Sequence, residues 1–252
     1  MSKKPYDANR FFLKDTIRKR IDFSRTAQNL GLTAPPLQKS CPPDVPTIHL
    51  PDGAAALTRQ AKMPVGEAIV GRQSIRQYEP APLTIEELSA LLWATQGVRQ
   101  VISDDTALRS VPSAGARHSF ETYLVVNRIE TLSAGLYRYL PFKCQLAQLR
   151  LDEQIGRKAA MACFGQSFIA ASAVTFFWTV IPARMEWRYD LAAHKVIAVD
   201  AGHVCQNLYL TCQAIGAATC AIAAYDQKLC DELLGVDGDE EFTCYLAPVG
   251  KR

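Results

Sequence analysis

The chain has 252 residues, 48% of them apolar and 21% charged, with a formal net charge of +3. That composition supports one sizeable core and is ordinary for a globular protein. No uncharged apolar run reaches about eighteen residues, which excludes a membrane-spanning helix, and MSKKPYDANRFF is too polar for a signal peptide, so a cytoplasmic protein that binds neither membrane nor nucleic acid is expected.

Residues 1–63 read as an N-terminal arm. DANRFFLKDTIRKRIDF predicts a helix with Asp7 near its start, and APPLQKSCPPDVP packs five prolines into a short span that must be extended or turned. Residues 1–60 carry 10 Lys/Arg against 5 Asp/Glu, densest at IRKRIDF. A solvated helix face accounts for this better than an anionic surface does. The arm is expected to wrap over the body or over a partner subunit.

The body, residues 64–252, opens with a short helix, VGEAIVGR, that Gly71 can stop. GRQSIRQYEPAPLT then runs extended to Pro82. A helix follows, with Thr84 as N-cap and Glu87 completing a capping box, with Ile85, Leu88, Leu91 and Leu92 at helical spacing, and with Gly97 as its end. Past a polar loop, TYLVV and GLYRYL predict two paired strands joined by a turn near Ser133, Ala134 and Gly135. Residues 152–166 are helix-like, and AVTFFWTVI is a core strand. Residues 191–216 predict one long helix ending at Gly216, with small residues suited to close packing. ATCAIAAY is a strand, Asp226 caps a short helix ending at Gly235, and CYLAPVG is the last strand.

The alternation of elements is irregular, and neither G-x-G-x-x-G nor G-x-x-x-x-G-K-[ST] is present. Eight cysteines without a C-x-x-C pair, and four histidines without H-E-x-x-H, predict reduced thiols and no metal centre. In an extended segment, positions i, i+2 and i+4 point the same way. Arg72, Ser74 and Arg76 therefore present two guanidinium forks and a hydroxyl together. By spacing alone the target is any phosphate or carboxylate, or the segment is a solvated edge strand.

GRQSIRQYEPAPLTIEELSALLWATQG closely resembles the opening motif of the nitroreductase superfamily, R-x-S-x-R followed by a P-L-T-x-E-E-L helix. PSAGARHSFETYLVV with GLYRYLP, then DAGHVCQNLYLTCQAIGAATCAIAAYD with ELLG and LAPVGK, resemble later motifs of that family in the same order. The forms P-S-A-G-A-R-H, G-L-Y-R-Y and D-A-G-H-x-x-Q-N-L look like its SagB-type dehydrogenase branch. The resemblance covers about residues 64–252. It implies an α+β, three-layer fold with a central, mostly antiparallel sheet flanked by helices, built as an intertwined homodimer with FMN at the interface.

The resemblance also implies a site. Arg72 and Ser74, with Gln73 between them, would face phosphate and ribityl, and Arg76 the pyrimidine edge. Pro112, Ser113, Ala114 and Gly115 would pass beside the isoalloxazine ring, although Gly115 and Ala116 stand where many relatives carry Asn. Ala223 and Ala224 resemble the backbone that approaches flavin N5, but relatives often have Glu-Gly there. Lys251 and Arg252 resemble basic residues that hold the phosphate. Peptide azoline dehydrogenases of this branch use a Lys-Tyr pair in W-K-Y; here Trp187-Arg188-Tyr189 keeps the tyrosine, which becomes the catalytic expectation, beside a guanidinium that is a poor base. His203 is a further flavin-side donor or an ordinary packed histidine. The implied activity is ping-pong hydride transfer from NADH or NADPH through FMN to a nitro, quinone or unsaturated small molecule. The alternatives are a dehydrogenase acting on a biosynthetic, azoline-like substrate, or a non-catalytic flavin-binding subunit.

Overall fold

The structure, a computed structural model, describes residues 4–252. Its centre is a seven-stranded sheet in which every pairing is antiparallel. In chain order the strands are β1 (Thr47–His49), the separate hairpin β2 (Val98–Ser103) and β3 (Thr106–Arg109), β4 (Phe120–Val126), β5 (Gly135–Leu140), β6 (Gln145–Leu151), β7 (Val174–Val180), β8 (Ala217–Thr219) and β9 (Phe242–Lys251). The sheet runs β1-β6-β5-β4-β7-β9-β8. The helices are α1 (Asp7–Leu13), α2 (Gly53–Gln60), α3 (Val65–Gly71), α4 (Ile85–Gln96), α5 (Ile155–Ala162), α6 (Phe168–Ala171), α7 (Ala183–Tyr189), α8 (Ala193–Ala214) and α9 (Gln227–Leu234).

Both faces of the sheet are covered, which is why β4 and β7 are largely apolar and are buried throughout, Glu121, Thr122, Thr175 and Thr179 included. Leu124 and Val126 of β4 join α4 and α8 in one core. Tyr123 and Val125, one residue out of phase, join α5 and α9 in the other. The result is three layers, as expected for an α+β protein with a mostly antiparallel sheet.

The capping box starts α4: the Glu87 amide donates to Thr84 Oγ1 (3.1 Å), and the Thr84 amide donates to Glu87 Oε2 (2.8 Å). Asp226 caps α9 one way, its side chain accepting the Leu229 amide, and Gly235 ends it with φ +72°. Other expectations shift. The N-terminal helix stops at Leu13, because Lys14 is extended, and continues only as a 3-10 turn over Asp15–Arg20. The helix expected over 152–166 breaks after Ala162, where Phe164 and Gly165 both adopt positive φ. The long helix is 193–214 rather than 191–216, and α7 precedes it after a break at Asp190 (φ +49°). The strand expected over ATCAIAAY is reduced to β8 and a single bridge from Ile222 to Leu246. β1, β6, α2, α7 and the β2–β3 hairpin lie where the sequence reading placed no element.

The proline-rich segment lies on the body. Prolines remove N–H donors but leave carbonyl acceptors, and three buried arginines fill those acceptors. Arg184 Nε donates to the Pro36 carbonyl (2.8 Å), Arg109 Nη2 to Leu37 (2.8 Å) and Arg138 Nη2 to Ser40 (2.6 Å). Glu121 Oε1 accepts the Lys39 amide (2.7 Å) and pairs with Arg184 Nη2 (2.6 Å), and both side chains of that pair are 2% exposed. Lys39 Nζ also pairs with Glu241.

Candidate active site

Residues 72–79 lie extended beside the sheet edge formed by β8 and β9. The Ile75 amide donates to the Thr219 carbonyl (3.0 Å) and the Glu79 amide to Lys251 (2.9 Å). Ser74 Oγ lies 2.9 Å from Tyr209 Oη, and the Arg72 guanidinium sits 5.2 Å from the Tyr209 ring centroid. Arg76 lies 5.9 Å from the Phe168 ring. Among the described residues neither guanidinium has a carboxylate within ion-pair distance. Gln73 is exposed.

Tyr209 ties this segment to the next one, since the Ala221 amide donates to its hydroxyl (2.8 Å). Ala223 and Ala224 follow, exposed, with the Ala224 carbonyl held by Gln166 Nε2 (2.9 Å). The C-terminal pair divides. Lys251 Nζ is paired with Glu87, the capping residue of α4. Arg252 Nη1 donates to Gln213 Oε1 (3.1 Å), and Gln213 lies so close to Gly71 that an added Cβ there would meet its amide nitrogen at 2.5 Å.

A second cluster gathers at the 112–118 turn. Gly115, Ala116 and His118 all have positive φ (57°, 53° and 46°), a local strain that must be held by surrounding contacts. Asp200 of α8 supplies one such contact: its Oδ2 accepts the Ala114 amide (3.3 Å), and it also takes a hydrogen bond from Ser113. Burial pushes the Asp200 carboxyl up, against those two bonds and the nearby His203, whose Nδ1 lies 3.9 Å from Oδ1. Arg188 and Tyr189 cover the turn. A Cβ on Gly115 would lie 2.7 Å from Arg188 Cδ and 2.8 Å from Tyr189 Oη, so only glycine admits this approach. Pro112 is exposed at the start of the turn.

The sequence reading named Tyr189 and the 112–115 turn separately, and the structure brings them into contact. It did not name Asp200 or Tyr209 as site residues, although both lie in the quoted DAGHVCQNLYL run. Their spacing was the available signal. Nine residues are two and a half helical turns, so the two side chains leave α8 on opposite faces, roughly 14 Å apart along its axis. Asp200 meets the 112–118 turn, and Tyr209 meets the 72–76 segment.

His118 closes the turn from inside. It is 5% exposed, and burial with the neighbouring Arg109 lowers its imidazole from 6.5 to about 3. The folded value lies below the unfolded one. Stability is therefore full above the ordinary imidazole range and is lost as pH falls through 6.5 toward 3. Relative to His118→Asn, which tolerates positive φ, the wild type should lose about 1.4 kcal/mol more between pH 7.5 and 5.5. Urea midpoints at the two pH values measure this, and parallel pH dependence in both proteins would exclude it.

The family model described as "Nitroreductase family" matches residues 69–251. The chain belongs to the nitroreductase family. A Methanocaldococcus jannaschii protein, named by inference as a nitroreductase, is 30% identical over 209 residues, which cover 83% of this chain and 98% of that one. Structural relatives include a nitroreductase, so named by inference, from Ralstonia eutropha (TM-score 0.67, 23% identity, 87% of this chain and 98% of that chain). Another of the same description from Anabaena variabilis has a TM-score of 0.66 at 22% identity, and the match covers 85% of this chain but 45% of that one. The Escherichia coli microcin synthetase McbBCD complex with truncated pro-MccB17 bound matches at a TM-score of 0.60 and 16% identity, over 100% of this chain and 88% of that one. The nitroreductase family's chemistry is oxidation and reduction, and this chain is an oxidoreductase with the nitroreductase fold. Among the described residues no helix is long and apolar enough to cross a membrane.

Proposed function

We propose that the protein is an FMN-dependent oxidoreductase of the SagB-type branch. In this reading residues 64–252 form the FMN-binding domain, 1–63 form an arm folded onto it, and two copies share the sites. The observation that carries the reading is the pair of guanidiniums, Arg72 and Arg76, that flank Ser74 with no carboxylate partner among the described residues. Such a set fits a phosphate and an electron-rich ring edge. When bound, FMN supplies hydride acceptance from NADH or NADPH and hydride delivery to a nitro, quinone or unsaturated acceptor.

The chain's own residues bind, orient and tune. Arg72 and Ser74 grip phosphate and ribityl, supported by Tyr209. Arg252 adds positive charge nearby, whereas Lys251 is engaged by Glu87. Arg76 places a permanent charge at the pyrimidine edge. The exposed Ala223–Ala224 backbone offers amide donors without a side-chain acid, so proton delivery falls to other groups. Ser113, Ala114 and Gly115 form a turn beside the ring that Asp200 holds in shape, and Gln73 lies at the rim. Asp200 and Tyr209, roughly 14 Å apart along α8 and on opposite faces of it, serve the two clusters separately, which supports a site completed by a second copy.

An anaerobic absorbance titration tests the reading. The purified protein should carry FMN, bleach with NADH or NADPH, and recover its colour when a quinone or nitro acceptor is added. A protein that takes up no FMN sinks it. The proximity of Tyr189 to the Gly115 turn favours a second reading, oxidation of a biosynthetic substrate with Tyr189 moving its proton. The likeness to the microcin synthetase complex gives the same direction some support. Tyr189→Phe should then abolish substrate oxidation, about 100-fold or more in kcat, with nicotinamide-driven bleaching intact. Unchanged oxidation in that variant removes Tyr189 from the chemistry. Yellow protein that no nicotinamide bleaches points to a non-catalytic subunit.

A further inference from the structure

A cavity of about 300 Å3 opens between the β2–β3 hairpin and the 112–118 turn, sharing Pro112 and Ser113 with the wall assigned to the flavin. Arg99 stands on one wall, Leu108, Val111 and Pro112 supply apolar surface, and Arg109 reaches the lining from the interior. No Asp or Glu lines it.

The balance of charge and donors is one-sided. Arg109 is 5% exposed and among the described residues has no carboxylate within ion-pair distance; Nη1 is spent on Gln96 (2.7 Å), Nη2 on the Leu37 carbonyl (2.8 Å), and Nε has no partner. Buried Glu121 attracts Arg109 but is itself paired with Arg184, so the balance behind the cavity stays positive and favours a further counter-ion. Arg99 is exposed and likewise unpaired among the described residues. The other polar groups of the lining have their protons committed. Ser110 donates to the Ala94 carbonyl (3.1 Å), Ser113 to Asp200, and the His118 ring to the Ala107 carbonyl. The exposed charged donor of the lining is the planar fork of Arg99, set beside an apolar wall and over a buried positive charge. A planar fork matches a carboxylate in bidentate fashion, and the volume suits a small organic molecule.

We propose that this cavity binds a small organic carboxylate. Arg99 grips the carboxylate, Arg109 supplies long-range attraction, and Leu108, Val111 and Pro112 cover the apolar body. Ser113 and Ala116 belong both to this lining and to the strained turn. On the flavin reading, on which this step rests, the site selects acid-bearing electron acceptors; the binding itself does not depend on that reading.

Calorimetric titration with benzoate and with its neutral isostere benzamide tests the site on wild type, Arg99→Ala and Arg99→Lys. Among the described residues Arg99, which is exposed, makes no side-chain hydrogen bond, so its replacement leaves the fold intact. Benzoate should bind at least about tenfold tighter than benzamide, Arg99→Ala should lose about tenfold in benzoate affinity, and Arg99→Lys should retain part of it. Absence of benzoate binding, equal binding of the two probes, or an unchanged Arg99→Ala curve each overturn the proposal. FMN content is recorded on the same samples, so a protein that binds benzoate but no FMN defeats the flavin reading and leaves the carboxylate site standing.

Discussion

Arg184→Met should destabilise the protein by about 3–5 kcal/mol, because it leaves Glu121 as a buried charge without its partner. Both side chains are 2% exposed, and the arginine also holds the Pro36 carbonyl. The Lys39 amide, still donating to Glu121, is a single neutral bond and cannot replace a guanidinium. Glu121→Leu in the same chain should recover much of the loss, since removing both charges avoids the desolvation cost that removing one exposes. Urea midpoints at unchanged slope measure both steps. A loss below about 1 kcal/mol in the single variant, or no recovery in the double one, would mean the pair is not stabilised as described.

Arg72→Ala should weaken FMN retention by roughly 1.5–3 kcal/mol, about 10- to 150-fold in Kd, the worth of one charge-assisted hydrogen bond. Among the described residues its guanidinium contacts the Tyr209 ring, 5.2 Å from centroid to guanidinium carbon, and no carboxylate. The folded protein should therefore lose little stability, about 0.5–1 kcal/mol. Fluorescence of free FMN after ultrafiltration gives the affinity, and thermal melting gives the control. An unchanged Kd with an intact fold removes Arg72 from the site.

The sequence revealed most where one physical rule governs a segment. FETYLVV and VTFFWTV are mostly apolar and buried at every position because helices cover both faces of the sheet. Thr84 and Glu87 carry a local hydrogen-bond code that needs no tertiary context. The segments that escaped notice are those whose pattern is divided. QLAQLRL is buried at its first three positions and half-buried or exposed beyond, so no period dominates. VRQVIS and TALR form a hairpin outside the main sheet, with Val101 and Ile102 exposed, and read as a polar loop. The site was legible as motifs but not as distances: that Tyr189 touches Gly115, that Lys251 is engaged by Glu87, and that Asp200 and Tyr209 serve opposite faces of α8 are products of tertiary folding.

The anchoring of the proline-rich strap has a consequence for how the chain can vary. Arg184, Arg109 and Arg138 recognise the carbonyls of Pro36, Leu37 and Ser40, which every amino acid possesses. Recognition by main-chain oxygen is blind to side-chain identity. Pro36 and Ser40 should therefore accept replacement while the three arginines should not, so at those two positions the information that holds the strap is written in the body, whereas Leu37 and Lys39 hold it by their own side chains.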